Sequence, residues 1–148
     1  MKAALLQAKI AFENNEVPIG AVIVYDGDII AHGYNQNLTL RDPTAHAEIV
    51  AIRNASRFIN SSRLDNCDIY TTLEPCAMCA MAISLARIKK VYYAASDTKF
   101  GAVENGARVL HSTSCYHKPE IYSGISGEES RKLLQNFFQK KRNQTNFT

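Results

Sequence analysis

Residues 67–96 read CDIYTTLEPCAMCAMAISLARIKKVYYAAS, and the way this stretch divides decides the fold. CDIYTTL (67–73) is a short β-branched and aromatic run, the composition of a buried strand. PCAMCAMAISLARI (75–88) predicts a helix, with Pro75 suited to its first turn. KKVYYAAS (89–96) returns to strand composition. Upstream, IGAVIVYDGDIIAHGYN (19–35) is two β-rich runs around Asp26-Gly27, a strong hairpin signal. RDPTAHAEIVAIRNASRF (41–58) predicts a helix that Thr44 can cap, with Ile49, Ile52 and Ala55–Ser56 at helical period. A helix from Lys2 to Asn14 precedes the hairpin and stops at NNEVP (14–18). Downstream, PEIYSG (119–124) predicts a fifth strand and SGEESRKLLQNFFQKKRNQ (126–144) a closing amphipathic helix. This order makes an α/β protein with helices packed on a mixed sheet. Neither an internal repeat nor a linker interrupts it, so one domain is expected over 1–148.

A chain of 148 residues buries roughly 70% of its unfolded surface, enough for a core without staples. Its 46% hydrophobic and 21% charged content is ordinary for a soluble globular protein. The net charge of +3 permits an acidic partner without demanding one. The start, MKAALLQAKIAF, superficially suggests a signal peptide, but Gln7, Lys9 and Glu13 interrupt the apolar pattern. No stretch approaches the ~20 apolar residues of a membrane span. The expectation is a cytoplasmic protein with no membrane partner, whose Cys67, Cys76, Cys79 and Cys115 stay reduced.

Cys76 and Cys79 could form a redox dithiol, half of a structural zinc site, or two ligands of a catalytic metal. No second C-x-x-C or closely spaced His pair follows, which weakens the structural reading. Upstream, TAHAEIV (44–50) supplies His46 and Glu48 at the beginning of a predicted helix. Positions i and i+2 of a helix point roughly opposite ways, so these two converge only on a target at its amino end. Two thiolates and a neutral imidazole around Zn²⁺ leave a fourth position for water, as in catalytic sites. A carboxylate beside that water works best as a proton carrier.

HAE followed by PCAMC resembles the known H-x-E…P-C-x-x-C signature of the zinc-dependent nucleobase deaminases. Beyond the metal motif, the chain resembles the bacterial tRNA-specific adenosine deaminases of the cytidine/deoxycytidylate deaminase superfamily nearly end to end. NEVPIGAVIV (15–24), GYNQN (33–37), RDPTAHAE (41–48), TLEPCAMCAMAI (72–83), ARIKKVYYAASDTKFGA (86–102) and LLQNFFQKKR (133–142) carry the likeness. It implies a three-layer α/β/α, cytidine-deaminase-like fold with a central mixed five-stranded sheet. It also implies hydrolytic conversion of adenosine to inosine at the wobble position of a tRNA anticodon. His46, Cys76 and Cys79 would hold one Zn²⁺ per subunit, and Glu48 would shuttle protons between the zinc-bound hydroxide and the base.

Other roles follow from the same resemblance. Asn35 would hydrogen-bond the inserted base, and Val17, Pro18 and Leu73 would wall it. Asp97 would meet a ribose hydroxyl, and Lys99 a phosphate. Lys140, Lys141 and Arg142 would contact RNA phosphates, where the plainer reading is a solvated helix end. The partners implied are a tRNA anticodon stem-loop and a second copy of the chain, with no DNA. Phe100 departs from the pattern, standing where many relatives carry a small residue. GAVENGARV (101–109) and HSTSCYHKP (111–119) diverge too, which touches RNA recognition more than the metal motif. The rival readings are a zinc deaminase of a free base or nucleoside, of guanine or cytosine type, and a zinc-binding module without catalysis.

Overall fold

The computed structural model describes residues 1–145. The last three residues of the expected domain lie outside the described residues. Helix α1 (Lys2–Glu13) leads into the hairpin β1 (Gly20–Tyr25) and β2 (Asp28–Tyr34). Then come α2 (Asn37–Leu40), α3 (Ala47–Ile59), β3 (Cys67–Leu73), α4 (Ala77–Leu85), β4 (Lys90–Ala95), β5 (Glu120–Ser123) and α5 (Gly127–Thr145). The hairpin turns on Asp26 and Gly27, with φ of 49° and 85°, the positive pair that a two-residue type I′ loop requires.

The five strands form one sheet in the order β2-β1-β3-β4-β5. β1 is antiparallel to both β2 and β3, while β3, β4 and β5 run parallel, so the sheet is mixed. Helices α1 and α5 cover one face, and α3 and α4 cover the other. The three layers and the five-stranded mixed sheet match the expectation.

The helices approach the sheet closely because the facing residues are small. A Cβ on Gly33 of β2 would meet the Ala47 carbonyl of α3 at 2.3 Å and the Ala51 nitrogen at 2.5 Å. One on Gly20 of β1 would meet the Ala4 carbonyl of α1 at 2.1 Å. The buried stripe of α3 is accordingly Ala47, Ala51 and Ala55, and the predicted Ile49 and Ile52 stripe lies half-buried at its flank. The predicted stripe is buried at Ala55 and corrected at Ile49 and Ile52, whose places on the sheet are taken by Ala47 and Ala51. Volume, and not hydrophobicity alone, selects which side of a helix meets a glycine-bearing strand.

Two helix starts also differ from expectation. Thr44 does not cap α3: its N–H and hydroxyl both donate to Asp42 Oδ1, at 2.8 and 2.7 Å, within a turn around Pro43. The cap position is His46, with extended backbone (φ −71°, ψ 153°). Pro75 does not enter α4, whose cap is Cys76 (φ −71°, ψ 175°). The Pro75 carbonyl instead accepts the N–H of Ala102 at 2.9 Å, which keeps this residue outside the helix. Helix α2, absent from the sequence reading, is a single turn whose leading N–H groups, those of Leu38 and Thr39, donate to the buried carboxylate of Glu16.

Candidate metal centre and active site

The amino ends of α3 and α4 meet beyond the end of β3. His46 and Cys76 are the two cap residues, Glu48 lies in the first turn of α3, and Cys79 lies in the first turn of α4. This is the arrangement that lets positions i and i+2 of one helix face a common target. The backbone is still extended at His46, so its ring turns inward while Glu48 comes down from the first turn. The positive ends of both helices favour anionic groups here.

His46 Nδ1 lies 3.6 Å from Cys76 Sγ and 3.6 Å from Cys79 Sγ. Among the described residues these three form the one metal-competent His/Cys/Asp/Glu group, with ligand atoms all within 4.8 Å of one another. Zinc bonds of about 2.3 Å to sulfur and 2.1 Å to nitrogen put tetrahedral ligand atoms about 3.6 Å apart. The donor set therefore fits zinc in both chemistry and spacing.

Ionisation favours a cation as well. Cys76 is drawn down to about 4 by its hydrogen bond with Cys79, with His46 adding to the effect. Cys79 moves the opposite way, pushed far above the ordinary thiol range by the same bond to Cys76, by burial and by Glu48. Left to themselves, the pair holds one thiolate. A second beside it, with a buried carboxylate close by, needs a positive ion to compensate the charge. His46 is raised, first by its hydrogen bond to Cys76.

Glu48 is buried, with its Oε2 accepting from the Cys79 thiol at 3.5 Å and its Oε1 from the Thr71 hydroxyl at 3.4 Å. Burial raises its proton affinity above that of an ordinary glutamate. Asn35 follows β2 and is also buried. Its Oδ1 accepts the Ala47 N–H at 2.9 Å, so it satisfies a free donor of the α3 amino end and turns its amide nitrogen away from that bond. Pro18 is buried, and Val17 and Leu73 are half-buried, at the starting end of β1 and the finishing end of β3.

The segment after β4 is fastened to the connection between β3 and α4 by a residue that sequence reasoning missed. Glu74 is 2% exposed, and five N–H donors converge on it. Oε1 accepts from the backbone of Val103, Glu104 and Asn105, and Oε2 from Asp97 N–H and the Asn105 side chain. Burial alone would raise its pKa, but the donors outweigh it and hold the carboxyl below the usual glutamate value. Gly101 forms an isolated antiparallel bridge with Cys76. A Cβ at Gly101 would sit 2.6 Å from the Glu74 carboxylate and 2.3 Å from the Asp97 carbonyl, so this close approach requires glycine. Asp97 turns its Oδ1 onto the N–H groups of Lys99 and Phe100, at 2.9 and 3.1 Å, while the Lys99 side chain is exposed.

The basic end of α5 lies against α1. Lys140 Nζ stands 5.4 Å from the centre of the Phe12 ring, and Lys141 Nζ 5.6 Å from that of Phe137. Phe12 and Phe137 in turn pack edge to face. Arg142 is exposed. Phe137 is buried, whereas Leu133 and Leu134 are half-buried. Among the described residues no helix is long and apolar enough to cross a membrane.

Known proteins align with this geometry. Residues 1–95 match the cytidine and deoxycytidylate deaminase zinc-binding region. The tRNA-specific adenosine deaminase of Agrobacterium fabrum is 51% identical over 142 residues, covering 96% of this chain and 93% of that protein. A solved structure from a study of A-to-I editing by tRNA:A34 deaminases at the wobble position superposes with a TM-score of 0.89. It is 51% identical and covers 90% of this chain and 97% of that one. A guanine deaminase structure from Bacillus subtilis gives a TM-score of 0.64 at 37% identity, over 96% of this chain and 90% of that one.

Proposed function

The chain belongs to the zinc-binding cytidine and deoxycytidylate deaminase family, and from its half-identity to a tRNA-specific adenosine deaminase over nearly its whole length we infer a tRNA adenosine deaminase that forms inosine at the wobble position of an anticodon. The reaction consumes water and releases ammonia from C6 of the base. The observation that carries this reading is the convergence of His46, Cys76, Cys79 and Glu48 in a chain half identical, over nearly its whole length, to a tRNA-specific enzyme.

His46 Nδ1, Cys76 Sγ and Cys79 Sγ would hold one zinc ion per subunit, which would supply the Lewis acidity that makes water a nucleophile near neutral pH. Glu48 stays outside the ligand set. Its raised proton affinity suits a group that must both take a proton from water and release it to N1 of the base and to the departing amine. Asn35 orients the base through its amide nitrogen while Ala47 fixes its oxygen. Val17, Pro18 and Leu73 line the base, and their position where β1 begins and β3 ends supports that role.

At the rim, Asp97 meets a ribose hydroxyl and Lys99 a phosphate. Lys140, Lys141 and Arg142 extend the phosphate contacts, supported by the packing of Lys140 on Phe12, four residues before Glu16 and close in sequence to Val17 and Pro18. Contact with a 2′-hydroxyl selects RNA over DNA. The enzyme works as one domain, 1–148, in the cytoplasm where tRNA is found.

The functional unit is a homodimer. Helix α4, AMCAMAISL, is apolar on almost every side, yet it buries only Cys79, Ala80, Ile83 and Ser84 in its own core. Leu85 is 74% exposed, and with Ala82 and Ile52 it lines a groove between α3 and α4. A helix that is apolar all round belongs in an interior, which a second copy would provide.

The test is inosine formation in an anticodon stem-loop carrying adenosine at the wobble position, beside free adenosine, guanine and cytosine. Turnover confined to the stem-loop, by a protein that sediments as a dimer, is expected. Turnover on a free base or nucleoside alone would replace the substrate, and a monomeric active species would remove the dimer.

A further inference from the structure

The loop that Glu74 fastens to the start of the β3–α4 connection displays an aromatic ring with no place in the core. Phe100 is 75% exposed, beside the exposed Lys99 and one residue from Gly101. Gly101 is bridged to Cys76, one of the three candidate metal ligands, so the backbone of Phe100 lies next to a residue paired with that site.

The backbone beneath this ring is held throughout. The N–H groups of Lys99 and Phe100 donate to Asp97 Oδ1, and that of Gly101 donates to the Asp97 carbonyl at 3.1 Å. Ala102 N–H donates to the Pro75 carbonyl, and the next three N–H groups donate to Glu74. A large apolar side chain on a firmly held backbone cannot fold away from water by moving the loop. Its exposure is relieved when a flat apolar surface covers it. A ring beside a cation is the combination that binds an unpaired base together with its phosphate.

We propose that Phe100 is a stacking platform for a nucleobase adjoining the target adenosine, with Lys99 neutralising the phosphate between the two nucleotides. The proposal rests on the tRNA reading above and deepens it. The target base enters over His46, Cys76 and Cys79, and the neighbouring base of the same single strand lies on the ring. Specificity for a loop over a free nucleoside thereby gains a contact outside the reacting base. The Glu74 clamp sets the height of the platform.

The experiment measures kcat and KM for the stem-loop with wild type, Phe100→Ala and Phe100→Trp. A parallel set of stem-loops carries an abasic nucleotide on the 5′ or the 3′ side of the target. Phe100→Ala is expected to lower kcat/KM by roughly 5- to 100-fold, mostly through KM, and Phe100→Trp to restore it. For wild type, one abasic position costs a similar factor, and combining it with Phe100→Ala costs no more. Bound zinc and thermal midpoint stay unchanged, since the side chain is outside the core. A Phe100→Ala enzyme within twofold of wild type overturns the proposal, as do losses that multiply at both abasic positions. Wild type that leaves every stem-loop unedited overturns the tRNA reading and the proposal together, whereas normal wild-type editing with an indifferent Phe100→Ala removes only the proposal.

Discussion

Glu48, in the first turn of α3, is 4% exposed, and Glu74, just before α4, is 2% exposed. Glu48 has a hydroxyl and a thiol as its side-chain donors, at 3.4 and 3.5 Å. Glu74 has five N–H donors at 2.7 to 3.1 Å. Burial therefore governs the first carboxyl and raises its pKa, while hydrogen bonds overcome burial at the second and lower it. The difference shows how two like side chains at one site divide the work. A carboxylate with few donors can exchange protons; one saturated by backbone N–H groups stays a fixed anion that shapes the loop around it.

Breaking Glu74 should produce the largest structural effect. Glu74→Ala leaves four backbone N–H groups and the Asn105 amide without their acceptor, at a cost of about 3–5 kcal/mol. Urea unfolding measures that loss. Hydrogen exchange should report it first at the amides of Asp97, Val103, Glu104 and Asn105. Glu74→Gln keeps one carbonyl oxygen but turns an amide toward donors, so a loss of about 1–3 kcal/mol is expected. Stability unchanged in both variants would mean that the loop stands without its anion, and the contrast with Glu48 would lose its structural half.

The basic tail sharpens the comparison from the other side, because Lys140, Lys141 and Arg142 are neither buried nor fixed by hydrogen bonds to a neighbouring loop. Changing all three to Ala should leave kcat intact and lower the slope of log affinity against log salt by about 2. An unchanged slope would make the tail a solvated helix end that packs on Phe12 and Phe137.

Much of this was legible in the sequence, for reasons that particular residues make plain. Asp26-Gly27 announces its hairpin because few dipeptides accept two positive φ values. The β3 boundaries follow from a β-branched run closed by Glu-Pro. His46, Cys76 and Cys79 announce themselves because metal ligation restricts residue type and spacing together, and Glu48 because it stands two residues after His46 at the same helix start. Glu74 and Glu16 do not, since their partners are mainly backbone N–H groups 22 or more residues away, and a backbone N–H leaves no mark on the sequence. Thr44 and the Ile49–Ile52 stripe misled for a related reason. The turn at Asp42 and the close approach to Gly33 are decided by tertiary packing, which overrides local preference.

The most direct measurement of the central claim is inosine formation and bound zinc on one preparation of Glu48→Gln, beside wild type. The variant keeps the shape of the side chain and removes its capacity to carry a proton. Full zinc content, an unchanged thermal midpoint and a loss of about 10²- to 10⁴-fold in kcat are expected. Near-normal turnover in zinc-replete Glu48→Gln would contradict that claim.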